Sequence, residues 1–147
     1  MNKKYFTVEK EFRVEFYDVD SMNIVYHGNY VNYMEVGRCA LLNAIGYNYL
    51  GMKEDGYSFP VVDIKLKYMK PLHFDETTKI VSSITEYENC LKISYEIFNS
   101  KGELATRAES TQMVVKEPEG ETMFVCPDKL IKKVQEAIAL KNSQNAR

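Results

Sequence analysis

The stretch YDVDSMNIVYHGNYVNYMEVGR, from Tyr17 to Arg38, links two different hydrophobic patterns and decides the fold. Before it, from Val8 to Phe16, apolar and polar residues alternate, and a period of two is typical of a strand. From Asn29 to Ile45 apolar residues recur at spacings of three and four, which predicts a helix with one broad apolar face. Gly46 follows that run and is expected to end the helix. The sequence thus predicts a strand, a polar turn and then the longest helix of the chain.

Two features of the predicted helix concern its packing. Gly37 lies in the middle of the apolar face, where a glycine costs about 1 kcal/mol relative to alanine. We therefore expect the helix backbone to approach the sheet closely at this residue. On the opposite face, Glu35 and Arg38 have the i, i+3 spacing of an ion pair.

The rest of the chain has the patterns of a loop, a series of strands and a terminal helix. Residues 47–60 contain Gly51, Gly56 and Pro60 and are expected to form a loop. Four strand-like segments follow, separated by turn signals: VVDIKLKYMK, TKIVSSITEY, LKISYEIFNS and ELATRAESTQMVVK. Pro127 then precedes DKLIKKVQEAIAL, which has the pattern of an amphipathic helix. This order predicts a single α+β domain over residues 1–147, with an antiparallel sheet of about five strands, one long helix and a short C-terminal helix.

Composition and charge exclude several classes of function. The net charge of -2 and the pI of about 5.8 do not fit a protein that binds nucleic acid. No apolar run reaches the length of a membrane span, and the N-terminal residues lack the apolar core of a secretion signal. Cys39, Cys90 and Cys126 are far apart in sequence and form no metal-binding motif. We therefore expect a cytoplasmic protein without a metal or bound cofactor.

The turn before the helix combines groups that suit acyl transfer. The first turn of a helix has unpaired N–H groups and a positive dipole end, so it stabilises an oxyanion that forms during a reaction. The N–H groups near His27 and Gly28 are candidates, and Gly28 lets a substrate approach the backbone. Asp20 is the loop carboxylate that would act beside them as base or nucleophile. The residues alone leave a second interpretation open, in which Asp18 and Asp20 only shape the turn.

The same segment resembles a known family. DVDSMNIVYHGNYVNYME is similar to the signature of the 4-hydroxybenzoyl-CoA thioesterase family, in the branch of the acyl-CoA thioesterases associated with the Tol-Pal system. The resemblance extends through the order of helix and strands to about Lys116. It implies a hotdog fold, in which an antiparallel sheet wraps around one long helix. It also implies a homodimer or homotetramer whose active sites lie at the dimer interface.

The resemblance implies roles for individual residues. Asp20 would be the catalytic carboxylate, which attacks the thioester carbonyl or activates a water. His27 would donate its backbone N–H to the carbonyl oxygen, and its imidazole is either a proton-transfer group or an ordinary side chain. Glu35 would lie near the acyl group, or else only pair with Arg38. The other substrate-binding residues implied are Tyr26, Gly28, Asn29 and Tyr30.

The expected activity is hydrolysis of an acyl-CoA to a free acid and CoA. Hydroxybenzoyl enzymes of the family bind the nucleotide phosphates with two arginines in a hairpin, where this chain has Glu88 and Asn89. The nearest basic residues are Lys65, Lys67 and Lys70. Two alternatives stay open, namely a thioesterase for acyl-acyl-carrier protein and a hotdog protein that binds acyl-CoA without catalysis.

Overall fold

The computed structural model describes residues 3–145, which form a five-stranded sheet, a three-stranded sheet and three α-helices. In chain order the elements are β1 (Phe6–Arg13), a 3₁₀ turn (Phe16–Asp18), α1 (Asn29–Ile45), α2 (Tyr49–Asp55), β2 (Tyr57–Ser58), β3 (Val61–Tyr68), β4 (Thr77–Glu86), β5 (Leu91–Phe98), β6 (Leu104–Gln112), β7 (Val114–Lys116), β8 (Glu121–Met123) and α3 (Asp128–Asn145).

The large sheet wraps around α1 and forms the core with it. Its strand order is β1-β4-β5-β6-β3, and every neighbouring pair is antiparallel. The apolar side of α1 is buried, and alternate residues of β4 and β5 meet it from the sheet because side chains of a strand point to opposite faces in turn. The buried residues of these three elements include Tyr33, Met34, Leu41, Ile80, Ile84, Ile93 and Ile97. The predicted α+β fold with a sheet around one long helix is confirmed.

Both glycine predictions for α1 are also confirmed. A Cβ added to Gly37 would lie 2.3 Å from Oγ of Ser82 and 2.9 Å from Cδ1 of Ile80, so the helix backbone approaches β4 as closely as a glycine permits. Gly46 caps the helix in the left-handed region with a φ of 77°, and its N–H donates to the carbonyl of Asn43 at 3.1 Å. The helix therefore begins at Asn29 and ends at Ile45, as its sequence pattern predicts.

The segment 47–60 was expected to be a loop, and this expectation is wrong. It contains α2, whose first turn is capped by the side chain of Asn48, which accepts the N–H of Gly51 at 3.0 Å. The last predicted strand also divides, because β6 ends at Gln112 and β7 joins β2 and β8 in the small sheet. These elements have two to seven residues, too few to produce a periodic sequence pattern.

The C-terminal helix is longer than expected. α3 has 18 residues and α1 has 17, so the predicted short helix is in fact the longest of the described elements. Its polar final turns contact β1, since Nζ of Lys141 donates to the carbonyl of Thr7 at 2.8 Å and lies 5.2 Å from the ring centre of Phe6. Within the described part of the chain, no helix is long and apolar enough to cross a membrane.

Candidate active site

The loop between β1 and α1 folds into a tight turn that carries Asp20. The N–H of Asp20 donates to the carbonyl of Ile24 at 2.9 Å, and its carbonyl accepts the N–H of Asn23 at 3.0 Å. Val19 and Val25 pair next to this turn as an isolated antiparallel bridge. Asn23 adopts a φ of 65°, in the left-handed region that asparagine tolerates better than most residues. The Asp20 carboxylate is therefore presented by a short, hydrogen-bonded turn.

A distant segment of the chain holds this turn in place. Residues 69–76 join β3 to β4, and residues 72–76 of this connection run alongside the loop. The N–H of Val25 donates to the carbonyl of Leu72 at 2.9 Å, and Ile24 pairs with His73 as a second isolated bridge. The shape of the loop thus depends on the large sheet as well as on its own turn residues.

The two aspartates of the loop have different surroundings. The carboxylate of Asp18 accepts the N–H of Glu15 at 2.9 Å, and its backbone carbonyl accepts the side-chain amide of Asn29 at 2.7 Å. Asp18 therefore ties the 3₁₀ turn to the start of α1. Asp20 is exposed, and one of its carboxylate oxygens accepts the N–H of Met22 at 2.8 Å. Its other carboxylate oxygen has no hydrogen-bond partner within the described part of the chain.

The start of α1 presents free backbone donors. Among the hydrogen bonds of residues 3–145, none uses the N–H of His27 or Gly28, whereas the N–H of Asn29 donates to the carbonyl of Tyr26 at 2.9 Å. A Cβ on Gly28 would lie 2.6 Å from the ring of Tyr26, so a side chain at this position would displace that half-exposed ring. The rings of Tyr26 and His27 lie 4.4 Å apart. These four residues form an exposed helix start with two N–H groups free to bind an acceptor.

A tyrosine that the sequence analysis missed completes this region. The hydroxyl of Tyr68, on β3, donates to the carbonyl of His27 at 2.8 Å. Its ring packs edge to face on Tyr30, with 4.9 Å between ring centres. Tyr30 itself is only 3% exposed, so it supports the site from the core. The period-two pattern of β3 puts Tyr68 on the same strand face as Leu66, the one partly buried residue of the strand, but the partner of Tyr68 lies 41 residues away.

The phenols near the turn are held in their neutral form. Burial raises the pKa of Tyr30 and of Tyr68. Burial, followed by the nearby carboxylate of Asp18, raises the pKa of Tyr33 still further. Of these three hydroxyl groups, that of Tyr68 donates to the carbonyl of His27, and that of Tyr33 is buried without a partner within residues 3–145.

The face of α1 that begins at Gly28 leads to a cavity. Gly28, Glu35, Cys39 and Leu42 are spaced by seven, four and three residues, so they share one side of the helix. Eleven residues separate Gly28 from Cys39, which corresponds to about 16 Å along the axis. There a cavity of about 460 Å³ opens between α1 and α2, lined by Arg38, Cys39, Leu42, Asn43, Asn48, Tyr49, Leu50, Met52, Tyr57, Ser58, Phe59 and Pro60.

Glu35 lies halfway along this face and forms the predicted ion pair. Its Oε2 is 2.7 Å from Nη2 of Arg38. The Arg38 side chain is 20% exposed, and its Nε is buried without a partner in the described part of the chain. The pair therefore gives the side of α1 between the turn and the cavity a polar wall.

The lysines suggested for the CoA phosphates do not form one cluster. Lys65 and Lys67 alternate with Tyr68 and its inward neighbours on β3, so they point away from α1. They line a separate groove of about 530 Å³ on the outer face of the sheet. Lys70 instead forms an ion pair with Glu103. Among residues 3–145, no three His, Cys, Asp or Glu side chains lie together as metal ligands would.

β3 forms one end of the large sheet and is exposed on both faces. Nearly every residue of the strand is solvent-exposed, including Val62 at 57% and Ile64 at 38%. β6 pairs with one edge of β3, and no other strand of the described chain pairs with its second edge. An unpaired edge with apolar side chains is a ready site for another strand.

Comparison with known proteins identifies the family. A family model described as the thioesterase-like superfamily matches residues 14–138, which include the whole turn, α1 and the large sheet from β3 onward. The chain belongs to the thioesterase-like superfamily. Within this superfamily it is 42% identical over 108 residues to "Putative acyl-CoA thioesterase YneP" of Bacillus subtilis, covering 73% of this chain and 78% of that protein. It is 30% identical over 101 residues to a "Putative esterase" of Aquifex aeolicus, covering 68% and 77%.

A solved structure of the superfamily agrees with the fold. The crystal structure of DHNA-CoA thioesterase from Staphylococcus aureus matches with a TM-score of 0.80 and 28% identity, over 95% of this chain and 93% of that chain. Membership of the thioesterase superfamily and the hotdog fold, both expected from the sequence, are thereby confirmed, and the Tol-Pal-associated branch stays a prediction. The roles predicted for the site residues stay predictions. These residues are Asp20, Tyr26, His27, Gly28, Asn29, Tyr30 and Glu35.

Proposed function

We propose that this protein hydrolyses acyl-CoA thioesters to a free acid and CoA. One observation carries the proposal: the loop that joins β1 to α1 holds both a carboxylate with a free oxygen, on Asp20, and the unpaired N–H groups of His27 and Gly28 at the start of α1. Such a turn provides a base or nucleophile and donors for an oxyanion. The similarity to YneP, whose name includes acyl-CoA thioesterase, supports a CoA thioester as the substrate.

The proposed reaction needs only these groups and water. The thioester carbonyl oxygen accepts the N–H groups of His27 and Gly28, which stabilise the negative charge that develops on it. Asp20 takes a proton from a water that attacks the carbonyl carbon, or attacks that carbon itself and forms an anhydride that water then cleaves. In both routes the C–S bond breaks and the CoA sulfur leaves as thiolate, which is then protonated.

The acyl group is proposed to extend from the turn along α1. Tyr26 and Asn29 flank the thioester end, with Tyr30 supporting them from the core. Glu35 is on the path, and the largely apolar cavity beside Leu42 would take the end of the acyl group. Its volume of about 460 Å³ falls in the range of small-ligand pockets.

A second copy of the chain is proposed to pair with the free edge of β3. Pairing would satisfy the unpaired edge and cover its exposed apolar residues. It would also give a homodimer or homotetramer. Light scattering coupled to size-exclusion chromatography measures the molar mass and so distinguishes the two. Together with a cytoplasmic location, this assembly stays a prediction.

The test is thioester hydrolysis over a panel of acyl-CoAs from acetyl to palmitoyl, with benzoyl and hydroxybenzoyl, and with free thiol as the readout. Asp20→Asn should lower turnover by about 10²–10⁴-fold, with folding unchanged by circular dichroism. Glu119→Gln is the matched control, since Glu119 is exposed in the turn between β7 and β8, outside both the proposed site and the β3 edge.

Full activity in Asp20→Asn would remove this carboxylate from the mechanism. A wild-type chain without turnover on any acyl-CoA would overturn the proposed function. The same panel on acyl-carrier protein, and binding of an S-alkyl-CoA, would then separate a carrier-protein thioesterase from a protein that only binds acyl-CoA.

A further inference from the structure

We propose that Tyr68 is a positioning residue that orients the oxyanion donor at Gly28. The inference rests on the proposed function, since it concerns the same N–H group. Tyr68 would not touch the reacting atoms. It would act through the peptide bond between His27 and Gly28, whose carbonyl accepts the Tyr68 hydroxyl at 2.8 Å.

Tyr68 is 46% exposed, and its ring is held by its strand and by one packing contact. It is carried by β3, where Tyr68 lies directly opposite Thr106 of β6 in the sheet register. Its edge-to-face contact with Tyr30, 4.9 Å between ring centres, fixes the ring against a residue of the core. The hydroxyl therefore connects the rigid sheet to an exposed turn that would otherwise be anchored only through the loop and the helix.

Peptide geometry transmits this contact to the N–H of Gly28. In a trans peptide the C=O and N–H groups point in opposite directions, so fixing the carbonyl of His27 fixes the direction of the Gly28 N–H. In the described part of the chain, the other donor to this carbonyl is the N–H of Tyr30, at 3.4 Å. That bond is longer than a good N–H···O hydrogen bond, so the phenol is the stronger of the two.

The phenol also stays a donor under the conditions in which the enzyme would work. Burial raises the pKa of Tyr68, and the nearby phenol of Tyr26 raises it further. A hydrogen bond to the carbonyl of His27 also polarises the peptide group, which makes the N–H of Gly28 a stronger hydrogen-bond donor. Both effects act more strongly on the charged oxyanion than on the neutral thioester carbonyl, so they favour the transition state over the bound substrate.

The test compares Tyr68→Phe with the wild-type chain on the best acyl-CoA of the panel. This change removes the hydroxyl and keeps the ring against Tyr30. Removing a complete oxyanion donor costs about 10²–10³-fold in turnover, and a donor that is only misaligned should cost about tenfold or somewhat more. KM should stay within about twofold, because the loss is confined to the transition state.

Two further measurements separate positioning from a structural role. Binding of an S-alkyl-CoA, which lacks the thioester carbonyl oxygen, should be unchanged in Tyr68→Phe, and so should the thermal unfolding midpoint. Tyr17→Phe is the matched control, since Tyr17 is 81% exposed and its hydroxyl makes no hydrogen bond within residues 3–145. It should behave as the wild-type chain in every assay.

An active wild-type chain with the same kcat in Tyr68→Phe would overturn this inference and leave the proposed function intact. A lower kcat accompanied by weaker S-alkyl-CoA binding and a lower unfolding midpoint would also overturn it, in favour of a structural role for the hydroxyl. A wild-type chain without thioesterase activity would overturn the proposed function, and the inference with it.

Discussion

Replacing Gly37 by alanine tests how tightly the backbone of α1 packs against β4. In the middle of a helix this substitution normally stabilises a protein, by about 1 kcal/mol. Here the new methyl group would lie 2.3 Å from Oγ of Ser82 and 2.9 Å from Cδ1 of Ile80. Both neighbours are 0% exposed, so neither can move into solvent.

The expected size of the effect follows from these two opposing contributions. Forcing an extra methyl group into a packed core typically costs about 1–3 kcal/mol. The helix preference of alanine returns about 1 kcal/mol of this. The difference is a loss of about 0–2 kcal/mol, and with two buried neighbours to displace we expect Gly37→Ala to fall in the upper half of that range, about 1–2 kcal/mol.

The measurement is urea unfolding followed by circular dichroism, at one protein concentration for all variants so that any self-association is constant. Gly51→Ala in α2 is the matched control, because a Cβ there would come no closer than 3.6 Å to any atom. That variant should be as stable as the wild-type chain or slightly more stable. Ser82→Ala should rescue part of the loss in Gly37→Ala, since it removes the nearest atom, a buried hydroxyl without a partner in the described chain.

Equal stabilisation by Gly37→Ala and Gly51→Ala would refute the reasoning. It would mean that α1 can move away from β4 at little cost. Loss of stability in Gly37→Ala without any rescue by Ser82→Ala would instead assign the conflict to Ile80 alone.

Three other changes have defined outcomes. Asn48→Ala removes the cap of α2 and should lower the free energy of unfolding by about 1 kcal/mol, with Asn48→Asp close to wild type in the same urea assay. Burial would raise the pKa of Glu76, but hydrogen bonds from His73 and Ser100 outweigh it and lower the pKa below 4.5. A lowered carboxylate pKa means that ionised Glu76 stabilises the folded state above pH 4.5, and that this stabilisation is lost as the pH falls through the lowered pKa. Glu76→Gln should therefore be less stable than the wild-type chain at neutral pH and equally stable in strong acid. Leu42→Trp narrows the cavity between α1 and α2. It should reduce turnover of palmitoyl-CoA at least about tenfold more than turnover of acetyl-CoA, because only the longer acyl chain reaches the cavity. An equal loss of turnover on the two substrates would argue against the proposed path of the acyl group.

The parts of the fold that the sequence predicts are those with strong local signals. α1 has nearly five turns of consistent apolar spacing and a glycine in the left-handed conformation at its end, so its bounds are predicted to the residue. α2 has two turns and contains Gly51. Its stability comes from the cap at Asn48 and from the burial of Met52, which depend on the neighbouring chain and leave no periodic pattern.

The candidate site likewise has a part that can be predicted from local sequence and a part that cannot. Asp20, His27 and Gly28 are close in sequence and lie in one loop between β1 and α1, so their grouping can be proposed from the chain itself. Tyr68 reaches that turn from a strand 41 residues away, and its contact depends on the register between β3 and β6. A single sequence contains no signal that links the two positions.

Because Ile24 pairs with the distant residue His73, enzymatic activity should return late during refolding. The turn of Asp20 takes its shape from residues about fifty positions downstream, and contacts between such distant segments form slowly because a long loop must close first. α1 needs no such closure to begin forming. Recovery of thioester hydrolysis after dilution from denaturant should therefore lag behind the recovery of helical circular dichroism, which makes catalysis a reporter of the last step of folding.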